Sequence, residues 1–89
     1  MKAGEVWQKK YSAETVVISS IEFDEEVGDD IVCFWARLIV NGKEFTYVGK
    51  WDHLYRRVFV KNYKFLLDST EAIKIGKKKI TVRFSAENI

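Results

Sequence analysis

Proline is absent from this 89-residue chain, and glycine occurs only five times. Such a composition argues against a disordered tract or a linker. There is one cysteine, Cys33, so no internal disulfide can form, and a reduced thiol in a cytoplasmic protein is the expectation. There is also one histidine, His53, and one His with one Cys leaves no zinc site without unusual ligands. No run approaches the roughly 18 apolar residues that a membrane span needs. Residues 1–7 lack the apolar stretch of a signal peptide. P-loop, Gly-x-Ser-x-Gly and His-Glu-x-x-His patterns are missing too. These absences predict no enzyme, no cofactor, no metal and no membrane.

What is present is aromatic and β-branched. Aromatics make up 15% of the chain, and each one buried removes a large apolar area from water. One domain is expected over 1–89, with its core at about 4–67 and a C-terminal hairpin at 71–84. The expected class is β-rich, either all-β or α+β.

The stretch 31–51 carries the clearest hairpin signal. Asn41-Gly42 lies between two runs of β-branched and aromatic residues, and that pair suits a two-residue type I′ turn. The implied register sets Val40 against Lys43, Leu38 against Phe45, Ala36 against Tyr47, Phe34 against Gly49 and Val32 against Trp51. That face is apolar, so Phe34 and Trp51 are expected in the core. The opposite face pairs Ile39 with Glu44, Arg37 with Thr46, Trp35 with Val48 and Cys33 with Lys50. It is mixed, with Arg37 and Glu44 at the surface. A slip of one residue would exchange the faces.

Before the hairpin, residues from Glu5 toward Tyr11 read as a first strand, and 15–23 as a β-branched second strand. Residues 24–30 form a charged loop in which Gly28 gives the backbone freedom. After it, 52–67 is ambiguous. As a helix, Asp52 is the N-cap and Tyr55, Phe59 and Tyr63 form a stripe. As a strand, Phe59, Lys61, Tyr63, Phe65 and Leu67 alternate against their neighbours. The helix is preferred from Asp52 to about Asn62, then a brief strand. The late hairpin would turn at Gly76-Lys77, and residues 85–89 fray.

Short, evenly spaced strands with one short helix suggest a small closed or half-open barrel. Gly4-Glu5-Val6-Trp7-Gln8, Val16-Val17-Ile18, Ile31-Val32-Cys33-Phe34-Trp35 and the closing Phe59-Val60-Lys61-Asn62-Tyr63-Lys64-Phe65-Leu66 resemble small SH3-like barrel proteins encoded by phages and prophages. The resemblance covers about residues 4–67 and implies an SH3-like barrel; it brings no catalytic motif, and the tail from Asp68 onward departs from it.

Charge is uneven. Residues 1–42 carry four basic and eight acidic side chains, and residues 43–89 carry eleven and five. Two surfaces follow. Arg56, Arg57, Lys61 and Lys64 interleave with Tyr55 and Tyr63, and Lys74, Lys77, Lys78 and Lys79 surround the late hairpin. Basic groups track phosphates and exposed aromatics stack bases, so this set is the candidate for nucleic acid or a nucleoprotein. Asp24, Glu25, Glu26, Asp29 and Asp30 are the alternative, an acidic patch for a partner or host protein that the chain modulates. An aromatic groove or an unpaired strand edge would serve that reading equally, and an edge also allows a homodimer. His53 is expected on the surface at a helix start, and Cys33 in packing.

Overall fold

A computed structural model describes residues 1–42, 44–48, 51–68, 71–75 and 79–83, the side chains of 71–75 and 79 excepted. The chain is β-rich, with antiparallel sheets and one short helix. Strands β1 (Glu5–Lys9), β2 (Thr15–Asp24) and β3 (Asp29–Trp35) form a meander. Then come β4 (Leu38–Asn41), β5 (Glu44–Val48), β6 (Trp51–Tyr55), helix α1 (Arg56–Asn62), β7 (Tyr63–Asp68), β8 (Glu71–Ile75) and β9 (Lys79–Arg83). One sheet has the order β6-β3-β2-β1-β7 and the other β4-β5-β9-β8.

The first sheet is strongly curled, as the helix length shows. α1 joins its two edge strands, β6 and β7, with 7 residues. At about 1.5 Å per residue that spans roughly 10 Å. In a flat five-stranded sheet, at about 4.8 Å per strand, the edges would stand roughly 19 Å apart. The curl leaves a concave face that α1 plugs with Phe59. Its ring stacks on Tyr63 at 4.6 Å and meets Phe34 at 5.4 Å and Trp7 at 5.2 Å. Val16, Ile18, Val32 and Ala36 complete this core. The convex face packs on the second sheet through Val6, Val17, Trp35, Tyr47, Ile80 and Val82. The segments 16–18 of β2 and 32–35 of β3 are thus covered on both sides, which is why they read as apolar runs rather than as alternating strands. The late hairpin belongs to this body: β9 pairs with β5, and Ile80 and Val82 are buried.

The long hairpin expected over 31–51 is broken into two ladders, β4 with β5 and β3 with β6. Arg37 takes φ 66° and its carbonyl accepts the Val48 N–H at 2.9 Å, which ends one strand and starts another. Phe34 and Ala36 therefore lie in the concave core and Leu38 against the convex one. Asn41 stands opposite Glu44, with Gly42 at φ 62° beside it, so Asn41 belongs to the ladder rather than to the centre of the turn. Leu38 faces Tyr47, two residues further along β5 than expected, a shift that keeps the faces. Beyond the break, Val32 pairs with Leu54 and Trp35 with Trp51. Trp51 is consequently not a core residue; it is 53% exposed on an edge strand. Phe34 is buried and Arg37 exposed, as expected, while Glu44 is half-exposed beside Arg83.

Asp52 does not cap the helix. Residues 51–55 pair with β3, and the helix begins at Arg56 after an extended Tyr55. Its orphan N–H groups find an acceptor from elsewhere: Asp29 Oδ2, on β3, accepts the Arg57 N–H at 3.2 Å. The strand expected after the helix is β7. Lys43, Gly49, Lys50, the Gly76-Lys77 turn and residues 85–89 lie outside the described residues.

Candidate interaction surface

The two candidate charge sets meet. The β2–β3 turn is held by Asp24, whose Oδ1 accepts the Glu26 and Val27 N–H groups and whose backbone carbonyl accepts that of Gly28 at φ 73°. Its other oxygen accepts the Tyr55 hydroxyl at 2.8 Å. This bond holds the Asp24 carboxyl below its ordinary range and pushes the Tyr55 phenol up. Arg56 lies 3.5 Å from Asp30 Oδ2, and the Arg57 guanidinium sits 5.9 Å from the Tyr55 ring centre. Asp24, Asp29 and Asp30 thus interleave with Tyr55, Arg56 and Arg57, while Glu25 and Glu26 are exposed in the turn.

The remaining basic residues lie elsewhere. Lys61 is exposed in the last turn of α1, and Lys64 on β7 pairs with Gln8 at the opposite edge of the sheet from β6. Lys10 extends its ammonium to the Val60 carbonyl at 3.4 Å. Tyr63, expected as an exposed stacking residue, is buried, because it forms one wall of the Phe59 plug. Lys77 and Lys78 lie outside the described residues, as do the side chains of Lys74 and Lys79.

What the sequence expectation missed is β6 itself. It is an edge of the five-stranded sheet, and among the described residues no strand pairs with its far side. Trp51, His53 and Tyr55 share one face of it, Trp51 and His53 with ring centres 6.4 Å apart. The Trp51 indole N–H donates to Ser19 Oγ at 3.2 Å, and that hydroxyl donates to the Cys33 carbonyl at 3.1 Å. Ser19 is the extra residue of an irregularity in the β2–β3 register, which aims it at the tryptophan. Next to this row is a shallow depression of about 230 Å³ lined by Ile31, His53, Leu54, Tyr55 and Val58. The signal that could have found the row was the alternation Trp51, His53, Tyr55 against Asp52 and Leu54.

The other side of β6 borders a second cleft, of about 280 Å³, at the open mouth of the curled sheet. Phe34, Ala36 and Leu54 line its apolar part, and Lys9, Glu14, Asp52, Asn62 and Tyr63 its polar part. Burial first, and then Glu14 and Asp52, push the Tyr63 phenol up. Among the described residues no three His, Cys, Asp or Glu side chains are grouped to hold a metal ion, and no helix is long and apolar enough to cross a membrane. Comparisons with protein-family models, curated proteins and solved structures gave no match.

Proposed function

We propose that this chain is a non-enzymatic protein-interaction module that takes an extended segment of a partner protein along β6. The edge of β6, unpaired among the described residues and with Trp51 and His53 exposed beside it, carries this reading. Edge strands are templates for strand addition: main-chain hydrogen bonds supply affinity, and flanking side chains supply selectivity. The four-strand path β1-β2-β3-β6, followed by a short helix and a strand returning to β1, supports the SH3-like reading of residues 4–67. With the resemblance to phage-encoded proteins, it favours an accessory that modulates a host protein. The charge distribution favours a protein over a polyanion, since Asp24, Asp29 and Asp30 occupy the surface around Arg56 and Arg57.

Titration of the ¹⁵N-labelled protein with an uncharged peptide of alternating valine and threonine tests this. The expected result is saturable amide shifts at residues 51–54, lost in Trp51→Ser. Absence of shifts there at millimolar peptide would sink the proposal. A second reading rests on the row of Trp51, His53, Tyr55 and the overlying Arg57, which has the composition of a stacking platform for single-stranded nucleic acid. Fluorescence anisotropy of a labelled single strand and a labelled duplex at two salt concentrations separates the two. The protein-partner reading expects a flat response. Affinity that falls steeply with salt and is lost in Arg57→Ser would replace it with the nucleic-acid reading.

A further inference from the structure

We infer that this chain pairs with a second copy of itself through β4. The inference stands apart from the reading of β6, because it concerns the other sheet. Among the described strands, β6, β7, β4 and β8 lie at sheet edges. An exposed edge invites pairing with another chain, and charge, proline or an irregular register is what blunts it. β6 carries Asp52. β7 carries Lys64 and Asp68 and shifts register against β1. The sequence of β8 includes Glu71 and Lys74, and its register against β9 shifts as well. β4 has none of these devices: its sequence is Leu38-Ile39-Val40-Asn41, and its register with β5 is regular. Ile39 and Val40 lie on its two faces, 54% and 57% exposed.

The ladder shows which backbone groups of β4 face outward. The Val48 N–H donates to the Arg37 carbonyl, so residues 37 and 48 form a hydrogen-bonded pair. Such pairs alternate along an antiparallel ladder, so Ile39 with Thr46 and Asn41 with Glu44 are the next two. Leu38 and Val40 therefore turn their N–H and C=O groups away from β5, toward the free edge. Two outward residues flanking a third suit a two-fold axis. With Ile39 on the axis, Leu38 of each copy exchanges both bonds with Val40 of the other. The same patch then serves both copies, and the assembly closes as a dimer because each edge is used up. The two Ile39 side chains meet at a closely spaced pair, with Cα atoms about 4.5 Å apart. On the opposite face Val40 of one copy lies beside Leu38 of the other, and Leu38 already packs on the convex core. Pairing thus covers apolar surface on both faces of β4. It brings no like charges together, since Arg37 falls opposite the uncharged Asn41. Four residues of rise keep the two Arg37 backbones about 13 Å apart, beyond the screening length of roughly 8 Å at physiological salt.

A ladder of four residues covers less than the roughly 1,200 Å² at which stable interfaces begin, so association is expected between micromolar and millimolar concentration. Sedimentation equilibrium of the full chain across that range tests it. The mass should climb from 10.4 kDa toward twice that value. Ile39→Lys sets like charges face to face on the two-fold and should hold the mass at the monomer value. Ile39→Glu should do the same. An equimolar mixture of the two variants should recover the dimer, at least tenfold tighter than either variant alone. Ile39 is more than half exposed, so both variants should fold, with amide spectra altered only around β4 and β5. A parent chain that stays monomeric throughout, a dimer that survives Ile39→Lys, or a mixture that fails to associate would overturn the inference. A dimer lost in Trp51→Ser but kept in Ile39→Lys would overturn it in favour of pairing through β6.

Discussion

The two ends of α1 carry similar side chains and use them differently. At its start, Arg56, Arg57 and Tyr55 meet Asp24, Asp29 and Asp30, and the hydrogen bonds and ion pairing are made within the chain. At its finish, Asn62 and Tyr63 border a cleft with Glu14, Asp52 and Lys9. Charge that is answered internally braces a fold; an open cleft beside a sheet edge is where a ligand has room to bind. On the proposed reading the partner therefore meets the edge strand and the mouth beside it rather than the basic helix.

The largest effect should come from removing what holds both ends in place. Phe59 is fully buried and touches Trp7, Phe34 and Tyr63. Phe59→Ala should cost about 3–5 kcal/mol, the range for a buried aromatic, and should abolish the difference between the ends because neither would persist. Denaturant unfolding measures it. An unchanged midpoint would mean that the ring does not anchor α1.

Much of this architecture was legible in the chain. The β-branched run at 15–23, the acidic turn with Gly28, the late hairpin and the order helix-then-strand after residue 55 all follow from local chemistry. The break at Arg37 was not legible. Nothing in Ala36-Arg37 marks a turn, and a left-handed arginine is held there by the Val48 N–H bond rather than by preference. Once the register was carried through that break, Trp51 was necessarily placed in the core. Asp52 misled in a different way: it has the chemistry of a cap, but pairing of 51–55 with β3 outweighs a single capping bond. The meeting of the two charge sets depends on that same β3–β6 pairing between segments some 25 residues apart, so no local pattern could announce it.

A smaller effect separates the ends by titration. Asp24's carboxyl is held below its ordinary range by the Tyr55 hydroxyl. A carboxylate depressed in the folded state contributes stability above its unfolded value, and that contribution is lost as pH falls through the folded one. Tyr55 is raised, so its contribution is present below the ordinary tyrosine value and disappears as pH climbs past it. Tyr55→Phe should return the Asp24 carboxyl toward its ordinary range, as followed by carboxyl ¹³C shifts. Tyr63 is also raised, but by burial first and then by Glu14 and Asp52. Glu14→Gln should therefore lower the Tyr63 phenol and leave Tyr55 where it is. Movement of both phenols together would mean that the two ends share one electrostatic environment.

The smallest effect concerns the ion pair at the helix start. Arg56 and Asp30 approach to 3.5 Å with the arginine side chain about half exposed. At that exposure water and salt screen most of the attraction, and ordering the long side chain offsets part of what remains. A double-mutant cycle of Arg56→Ala and Asp30→Ala should give a coupling of about 0.2–1 kcal/mol at low salt, fading at higher ionic strength. Arg57 provides the contrast, because its backbone N–H, not its charge, is what Asp29 holds. Arg57→Ala should therefore leave the Asp29 contact intact, visible as an unchanged amide shift and slow exchange at residue 57. If the Arg56–Asp30 coupling instead exceeded this range and persisted at high salt, the acidic turn and the helix would form a desolvated joint. The helix start would then be the more rigid end, and the mouth beside Tyr63 would be the end free to adjust to a partner.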